Sequence, residues 1–290
     1  MFTALVSTGT LATRVDGSWA IVDCRYNLKD DEWGTAQYRA AHIPGATYAS
    51  LSHDLSGLPT GANGRHPIPA PAEMEAVFGR LGIGAKTQVV LYDQDVGMFA
   101  SRMWWMLRCM GHDAAAVLDG GWAKWLRERR PTRAGEETRA TAVFASRPRA
   151  ELRVDVDQVQ NRLGDPAILL VDARAPERFE GASEPLDRVA GHIPGAVNHF
   201  YKSNVTDEGT MRPAEHLREH FRALLGDRAP DHTVMYCGSG VSACHNVLAM
   251  EHAGLSGTRL YPGSWSEWSS DGNRPVERSG KVEGSGKVEK

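Results

Sequence analysis

The sequence is poor in cysteine, and the few cysteines are widely spaced. The chain has 290 residues and four cysteines, which are Cys24, Cys109, Cys237 and Cys244. So few in a chain of this length do not make a disulfide framework, and they lack the closely spaced pairs that a structural zinc site needs. We therefore expect no metal site and a reducing compartment, the cytoplasm.

Neither a strong charge of one sign nor a long hydrophobic run is present. The 33 basic and 36 acidic residues leave a net charge of -3, which gives no footprint for nucleic acid or an anionic membrane. No apolar run is long enough to span a bilayer. The first seven residues lack the basic and apolar regions of a signal peptide. We therefore expect neither nucleic acid nor a membrane as a partner.

Two sequence words occur twice, in the same order and at nearly constant separation. Val-Asp-x-Arg stands at 22–25 and again at 171–174, and His-Ile-Pro-Gly-Ala stands at 42–46 and again at 192–196. A looser pair, Leu-Asp-Gly-Gly-Trp at 118–122 and Leu-Tyr-Pro-Gly-Ser-Trp at 260–265, follows each of them. Ordered repeats of this kind indicate two copies of one domain.

Each copy alternates short apolar runs of strand length with helical patterns. Strands are predicted at 19–23, 88–92, 168–172 and 233–236, and helices at 71–81, 99–110 and 214–225. This alternation predicts an α/β fold, with a parallel sheet flanked by helices in each copy. We expect domains at 1–130 and 151–277, a linker at 131–150 without sustained periodicity, and a disordered tail at 278–290.

A cysteine marks the main difference between the copies. The second copy's strand 233–236 leads into Cys237, whereas the matching strand of the first copy leads into Asp93. After Cys237 come Gly238, Ser239, Gly240, Val241 and Ser242, and a helical pattern follows. A loop of small residues at a helix N-terminus can direct backbone N–H groups at an anion. Such a loop favours the thiolate of Cys237, which is the nucleophilic form.

A cysteine at the end of a buried strand is more often a small core residue than a nucleophile. The composition of the loop and the duplication favour the nucleophile for Cys237. For Cys24, Cys109 and Cys244 we expect core roles, with a redox partnership between Cys244 and Cys237 as an open alternative.

The loop from Cys237 to Ala243 resembles the active-site loop of the rhodanese superfamily. Together with the repeated words and Ser-Trp-Ser-Glu-Trp at 264–268, it resembles the tandem-domain thiosulfate and 3-mercaptopyruvate sulfurtransferases. The resemblance implies two rhodanese-like domains, a silent first domain and a persulfide on Cys237. It implies that 3-mercaptopyruvate or thiosulfate donates sulfur to cyanide or a thiol, without a metal or organic cofactor.

The resemblance also implies the remaining site residues. The loop Cys-Gly-Ser-Gly-Val is similar to that of 3-mercaptopyruvate sulfurtransferases, in which the loop serine and a histidine are proposed to relay a proton. Ser239 and His66 match these two, whereas the aspartate of the relay falls on Ser52, with Asp54 close by. Arg178 matches a substrate-binding arginine of the family.

A second family arginine falls near Arg188, and Gly238, Gly240, Val241 and Ser242 would cradle the substrate. In the thiosulfate-using branch, arginine and lysine follow the cysteine. Here the loop itself has no cation beside the nucleophile, so we expect 3-mercaptopyruvate to be preferred.

Three other functions are kept as alternatives. The first is a thiosulfate-preferring rhodanese, in the same enzyme class. The second is a cysteine-dependent phosphatase, which shares the strand–loop–helix cradle but needs an arginine at the end of the loop, where Ser242, Ala243 and Cys244 stand. The third is a non-catalytic anion-binding or scaffold protein. Expected partners are a small sulfur donor and a thiol or cyanide acceptor.

Overall fold

The computed structural model describes residues 1–278 and 281–283. Their contacts divide the chain into two compact units. Unit 1 comprises Met1–Gly57, Ile68–Ala150 and Val205–Arg212, and unit 2 comprises Leu58–Pro67, Glu151–Asn204 and the chain from Pro213 onward. The segment Leu58–Pro67, which carries His66, therefore folds with the second copy although it lies within the first copy in the sequence.

Unit 1 contains a five-stranded sheet in which all neighbouring strands are parallel. The strands occur in the order β1-β5-β4-β2-β3. They are β1 (Leu5–Val6), β2 (Ala20–Asp23), β3 (Ala46–Tyr48), β4 (Val89–Tyr92) and β5 (Ala115–Leu118). The helices are α1 (Thr8–Ala12), α2 (Trp33–Ala40), α3 (Pro71–Arg80), α4 (Met98–Cys109) and α5 (Gly121–Arg127).

Unit 2 repeats the pattern with a four-stranded parallel sheet in the order β7-β6-β8-β9. The strands are β6 (Leu169–Asp172), β7 (Val197–Asn198), β8 (Thr233–Tyr236) and β9 (Arg259–Leu260). The helices are α6 (Val156–Gln160), α7 (Pro176–Phe179), α8 (Ala214–Leu225), α9 (Ser242–His252) and α10 (Ser264–Trp268). The predicted fold class, with parallel sheets flanked by helices, is confirmed.

The repeated words form the same buried brace in each unit. In unit 1, Arg25 pairs with Asp23 at 2.6 Å, and its Nη2 donates to the carbonyl of Ala41. In unit 2, Arg174 pairs with Asp172 at 2.6 Å, and its Nη2 donates to the carbonyl of Gly191. Both pairs are almost fully buried, so each carboxylate depends on its arginine for compensation. The Val-Asp-x-Arg motif therefore has the same structural role, a buried ion pair, in both copies.

In unit 1 a carboxylate occupies the place of the cysteine. Asp93 follows β4 and accepts backbone N–H bonds from Gly97 at 2.9 Å and from Phe99 at 2.7 Å. Burial, reinforced by the charge of Asp95, raises the pKa of Asp93 to about 6. The loop of unit 1 is therefore filled by the protein's own side chain, which fits the absence of a sulfur nucleophile at this position.

The segment 131–150 runs along unit 1 in an extended form. Arg133 exchanges two backbone hydrogen bonds with His42, and Arg149 N–H donates to the carbonyl of Cys109 at 2.7 Å. As a division into domains, the bounds 1–130, 131–150 and 151–277 stay a prediction.

The C-terminal end of the described chain forms a small antiparallel pair, β10 (Val276–Arg278) with β11 (Lys281–Glu283). The rest of the predicted tail at 278–290 lies outside the described residues. Among the helices that the structure describes, none is long and apolar enough to cross a membrane.

Candidate active site

Cys237 lies in the loop between β8 and α9, and it is 2% exposed. Its backbone N–H donates to Ser264 Oγ at 3.1 Å, and its carbonyl accepts from Trp265 N–H at 2.9 Å. The next carbonyl, that of Gly238, accepts from Ser266 N–H at 2.9 Å. Helix α10 therefore holds the backbone on which the thiol is mounted.

The loop turns sharply at Gly240. This residue has φ +75°, and a Cβ atom there would lie 2.2 Å from the carbonyl oxygen of Pro262. The Cys244 thiol, one turn into α9, lies 3.2 Å from the Gly240 carbonyl oxygen and donates to it. At position 240, only glycine allows both the left-handed conformation and the close approach to the Pro262 carbonyl. Cys237 is thus placed before the N-terminus of α9, where helix geometry leaves N–H groups without helical acceptors.

The segment Leu58–Pro67 docks on α10 at the same place. Gly64 has φ +86°, and a Cβ atom there would lie 2.8 Å from the carbonyl oxygen of Gly263. Arg65 N–H donates to Ser266 Oγ at 3.1 Å. Because Gly64 permits this close approach, the two residues that follow it, Arg65 and His66, are brought to the loop.

The two residues expected to relay a proton are in contact. His66 Nδ1 and Ser239 Oγ lie 2.8 Å apart, which is hydrogen-bond distance. Ser239 is 7% exposed. The hydroxyl on the loop and the imidazole on the docked segment thus form one unit that can move a proton.

The candidates for the third relay member have other partners in unit 1. Ser52 Oγ lies 3.1 Å from Ser50 Oγ. Asp54 Oδ2 accepts from Ser50 N–H at 2.8 Å, and its Oδ1 pairs with Arg80. Whether either residue serves His66 stays a prediction.

Two guanidinium groups flank Gly238, the residue next to the cysteine. A Cβ atom on Gly238 would lie 2.9 Å from Arg65 Nη2 and 3.4 Å from Arg178 Nη2. Arg178 was expected from the sequence, whereas Arg65 was not. As expected, the loop sequence itself contains no cation, but the fold brings two guanidinium groups to Gly238 from other segments.

Buried carboxylates hold these arginines in place. Glu184 accepts from Arg178 Nη2 at 2.6 Å and from Arg174 Nη1 at 3.0 Å. Burial alone would raise the pKa of Glu184, but the hydrogen bond and charge of Arg178, with the charge of Arg174, hold this pKa below its ordinary value. Asp187 pairs with Arg65 through Oδ1 and lies 3.5 Å from Arg178 Nη2 through Oδ2. Burial raises the pKa of Asp187.

A cavity of about 340 Å³ adjoins this cluster. Arg188, the other expected arginine, is exposed and lines this cavity. The polar lining includes Arg65, Asp187, Arg188, Ser266, Ser269 and Ser270. The cavity can therefore admit a small, polar, charged molecule beside Arg65 and Asp187.

Sequence reasoning missed Arg65, Glu184 and Asp187. Arg65 and Asp187 are sequence neighbours of expected residues, His66 and Arg188, and that adjacency was the available signal. Glu184 is one of many acidic residues, and only its burial between two arginines distinguishes it.

Comparison with known proteins identifies relatives along nearly the whole chain. A family model described as "Rhodanese-like domain" matches residues 7–128 and again 155–271. The chain is 44% identical over 275 residues to a Pseudomonas aeruginosa protein named "Probable 3-mercaptopyruvate sulfurtransferase", with 94% of this chain and 97% of the relative covered. It is 32% identical over 267 residues to the thiosulfate sulfurtransferase of Gallus gallus, with 91% and 90% covered.

A solved structure is also similar. The 3-mercaptopyruvate sulfurtransferase from Leishmania major matches with a TM-score of 0.82 and 30% identity, over 92% of this chain and 74% of that one.

Gly240→Ala should disable the site, because the added methyl group collides with the Pro262 carbonyl and displaces the loop. A matched control is Gly195→Ala, where φ is +77° and nothing lies within 4 Å of the added Cβ. The control should cost only the left-handed strain of about 1–2 kcal/mol. Gly240→Ala should in addition lower kcat/KM by about 100-fold or more, as expected for a displaced reacting group. Equal activities of the two folded variants would contradict this account of the loop.

Proposed function

The chain belongs to the rhodanese family and is a sulfurtransferase, and from that premise we propose that it carries sulfur as a persulfide on Cys237 and accepts it from 3-mercaptopyruvate in preference to thiosulfate. The observation that carries the donor assignment is the contact of Ser239 Oγ with His66 Nδ1 at 2.8 Å beside the nucleophile. The relative with 44% identity, named for 3-mercaptopyruvate, supports it.

The first half-reaction loads the cysteine. The Cys237 thiolate attacks the sulfur of 3-mercaptopyruvate and forms an S–S bond. The C–S bond of the donor breaks, and its electron pair leaves on the enolate of pyruvate. A proton delivered through Ser239 and His66 neutralises this enolate, so the leaving group departs as pyruvate. Thiosulfate would leave as sulfite, which needs no such proton.

The second half-reaction empties the cysteine. A thiolate or cyanide attacks the outer sulfur of the persulfide, the S–S bond breaks, and the electron pair returns to Cys237 Sγ. The products are a new persulfide or thiocyanate. Neither half-reaction requires a metal or an organic cofactor, because the Cys237 thiolate is itself the nucleophile of the first step and the leaving group of the second.

Arginines bind the negative charge of the donor, and the backbone of the loop binds its sulfur. Arg178 lies beside Gly238 and suits a carboxylate, because its planar fork can form two parallel hydrogen bonds. Arg65, which the sequence did not suggest, adds a second cation at this point. Arg188 lines the cavity and would meet the donor or the acceptor there. Gly238, Gly240, Val241 and Ser242 form the cradle for the terminal sulfur.

We also propose that the protein works in a reducing compartment, the cytoplasm. All four cysteines are free thiols, which a sulfur-carrying enzyme needs at Cys237 and which a reducing compartment maintains. The acceptor is a small thiol or cyanide.

Cys237→Ser should abolish sulfur transfer from both donors, because a hydroxyl cannot carry the persulfide. Cys24→Ser, Cys109→Ser and Cys244→Ser are the controls and should retain turnover apart from losses of stability. The measurement is thiocyanate formation from each donor with cyanide, with phosphatase activity assayed on the same preparation. Sulfur transfer by the Cys237→Ser protein, or phosphatase activity that depends on Cys237, would contradict the proposal.

His66→Asn should separate the two donors. Without the imidazole the enolate loses its proton source, so kcat/KM for 3-mercaptopyruvate should fall by roughly 10²–10⁴-fold, the usual contribution of general acid catalysis. The value for thiosulfate should change far less, because sulfite leaves without a proton. An equal loss with both donors would show that His66 only shapes the loop. A wild-type kcat/KM for thiosulfate well above that for 3-mercaptopyruvate would refute the proposed preference.

A further inference from the structure

The presence of two cations beside Gly238 raises a question about donor choice. Guanidinium groups from Arg65 and Arg178 would attract a dianion such as thiosulfate more strongly than a monoanion such as 3-mercaptopyruvate. The uncharged loop sequence therefore cannot by itself explain a preference for the monoanion. The group that can explain it is the carboxylate placed between the two arginines.

We propose that Asp187 is a specificity-determining residue, whose buried carboxylate favours monoanionic sulfur donors and disfavours dianionic ones. This inference rests on the proposed sulfur transfer at Cys237. It concerns a residue that lies outside the loop and touches both cations next to it.

Asp187 is built into the site as a fixed negative charge. Its side chain is 6% exposed, and Oδ1 is bound by Arg65. Oδ2 is buried and makes no hydrogen bond within the described part of the chain, although Arg178 Nη2 lies 3.5 Å away. The backbone N–H of Asp187 donates to Glu184 at 3.3 Å, so the turn that carries it is anchored. A carboxylate in such a place is poorly screened by solvent, and its field therefore reaches the donor.

The neighbouring charges balance one another before a donor binds. Arg174, Arg178 and Arg65 alternate with Asp172, Glu184 and Asp187 in a chain of ion pairs. Three positive and three negative groups leave no net charge in this cluster. A donor thus gains from the nearest arginines but is repelled by Asp187 in proportion to its own charge.

Because the repulsion by Asp187 increases with the charge of the donor, the proposal predicts a different effect on dianions and monoanions. If Asp187 repels each unit of donor charge equally, a dianion is penalised by twice as much as a monoanion in free energy. Removal of the charge should therefore help the dianion more, whatever else the substitution does to the loop. A loss of arginine positioning would instead lower the rates with all donors together.

The test uses Asp187→Asn in the full chain and measures persulfide formation without an acceptor. The donors are thiosulfate, 3-mercaptopyruvate and methanethiosulfonate, a monoanion that delivers its outer sulfur with the same chemistry as thiosulfate. We expect the rate constant ratios of thiosulfate to methanethiosulfonate and of thiosulfate to 3-mercaptopyruvate each to rise by about tenfold or more. The matched control, Glu177→Gln, removes an exposed carboxylate from α7 and should leave both ratios unchanged.

The ratios are measured on one preparation, so they do not depend on the fraction of the variant that folds correctly. Unchanged ratios in Asp187→Asn, or an equal change in Glu177→Gln, would overturn the role of Asp187 while leaving sulfur transfer intact. If no donor loads the wild-type protein, the proposed function itself fails. The leaving group of methanethiosulfonate is a sulfinate, which needs no proton. The rate constant measured with this donor therefore does not depend on the proton relay.

Discussion

The site depends on a chain of alternating charges that begins in the core of unit 2. Arg174 compensates the buried Asp172 and also binds Glu184, which in turn fixes Arg178. Each buried charge here is tolerated only because its partner is present, and removal of one partner from such a pair is strongly destabilising. The brace that stabilises β6 therefore also determines where the guanidinium of Arg178 lies, so the fold and the proposed binding of the donor rely on the same ion pairs.

The second constraint is the close packing of three backbones around the nucleophile. The loop crosses Pro262 at Gly240, and the segment Leu58–Pro67 crosses Gly263 at Gly64. Both crossings need glycine, and together they bring the hydroxyl of Ser239 to the imidazole of His66. The pair is assembled from residues far apart in the sequence, so its geometry relies on backbone contacts rather than on any local motif.

The fold class and the place of Cys237 in a loop of small residues could be predicted from the sequence. Repeated motifs, local periodicity and loop composition encode both. His66, Ser239 and Arg178 came from family resemblance, and the structure brings the first two into contact. Arg65 and Asp187 could not be predicted. Their importance comes from tertiary contacts, since an arginine or an aspartate in a loop is ordinarily a solvated surface charge. The uncharged loop sequence does not reveal the second guanidinium group, that of Arg65, which another segment brings to Gly238.

The central claim is that Cys237 is the sulfur carrier, and mass analysis of the intact protein after donor treatment tests it most directly. Treatment with either donor in the absence of an acceptor should add one sulfur atom, and peptide mapping should locate it on the peptide that contains Cys237. Addition of cyanide should remove that sulfur and return the original mass. Sulfur found on Cys24, Cys109 or Cys244, or no added sulfur in a preparation that turns over, would contradict the account.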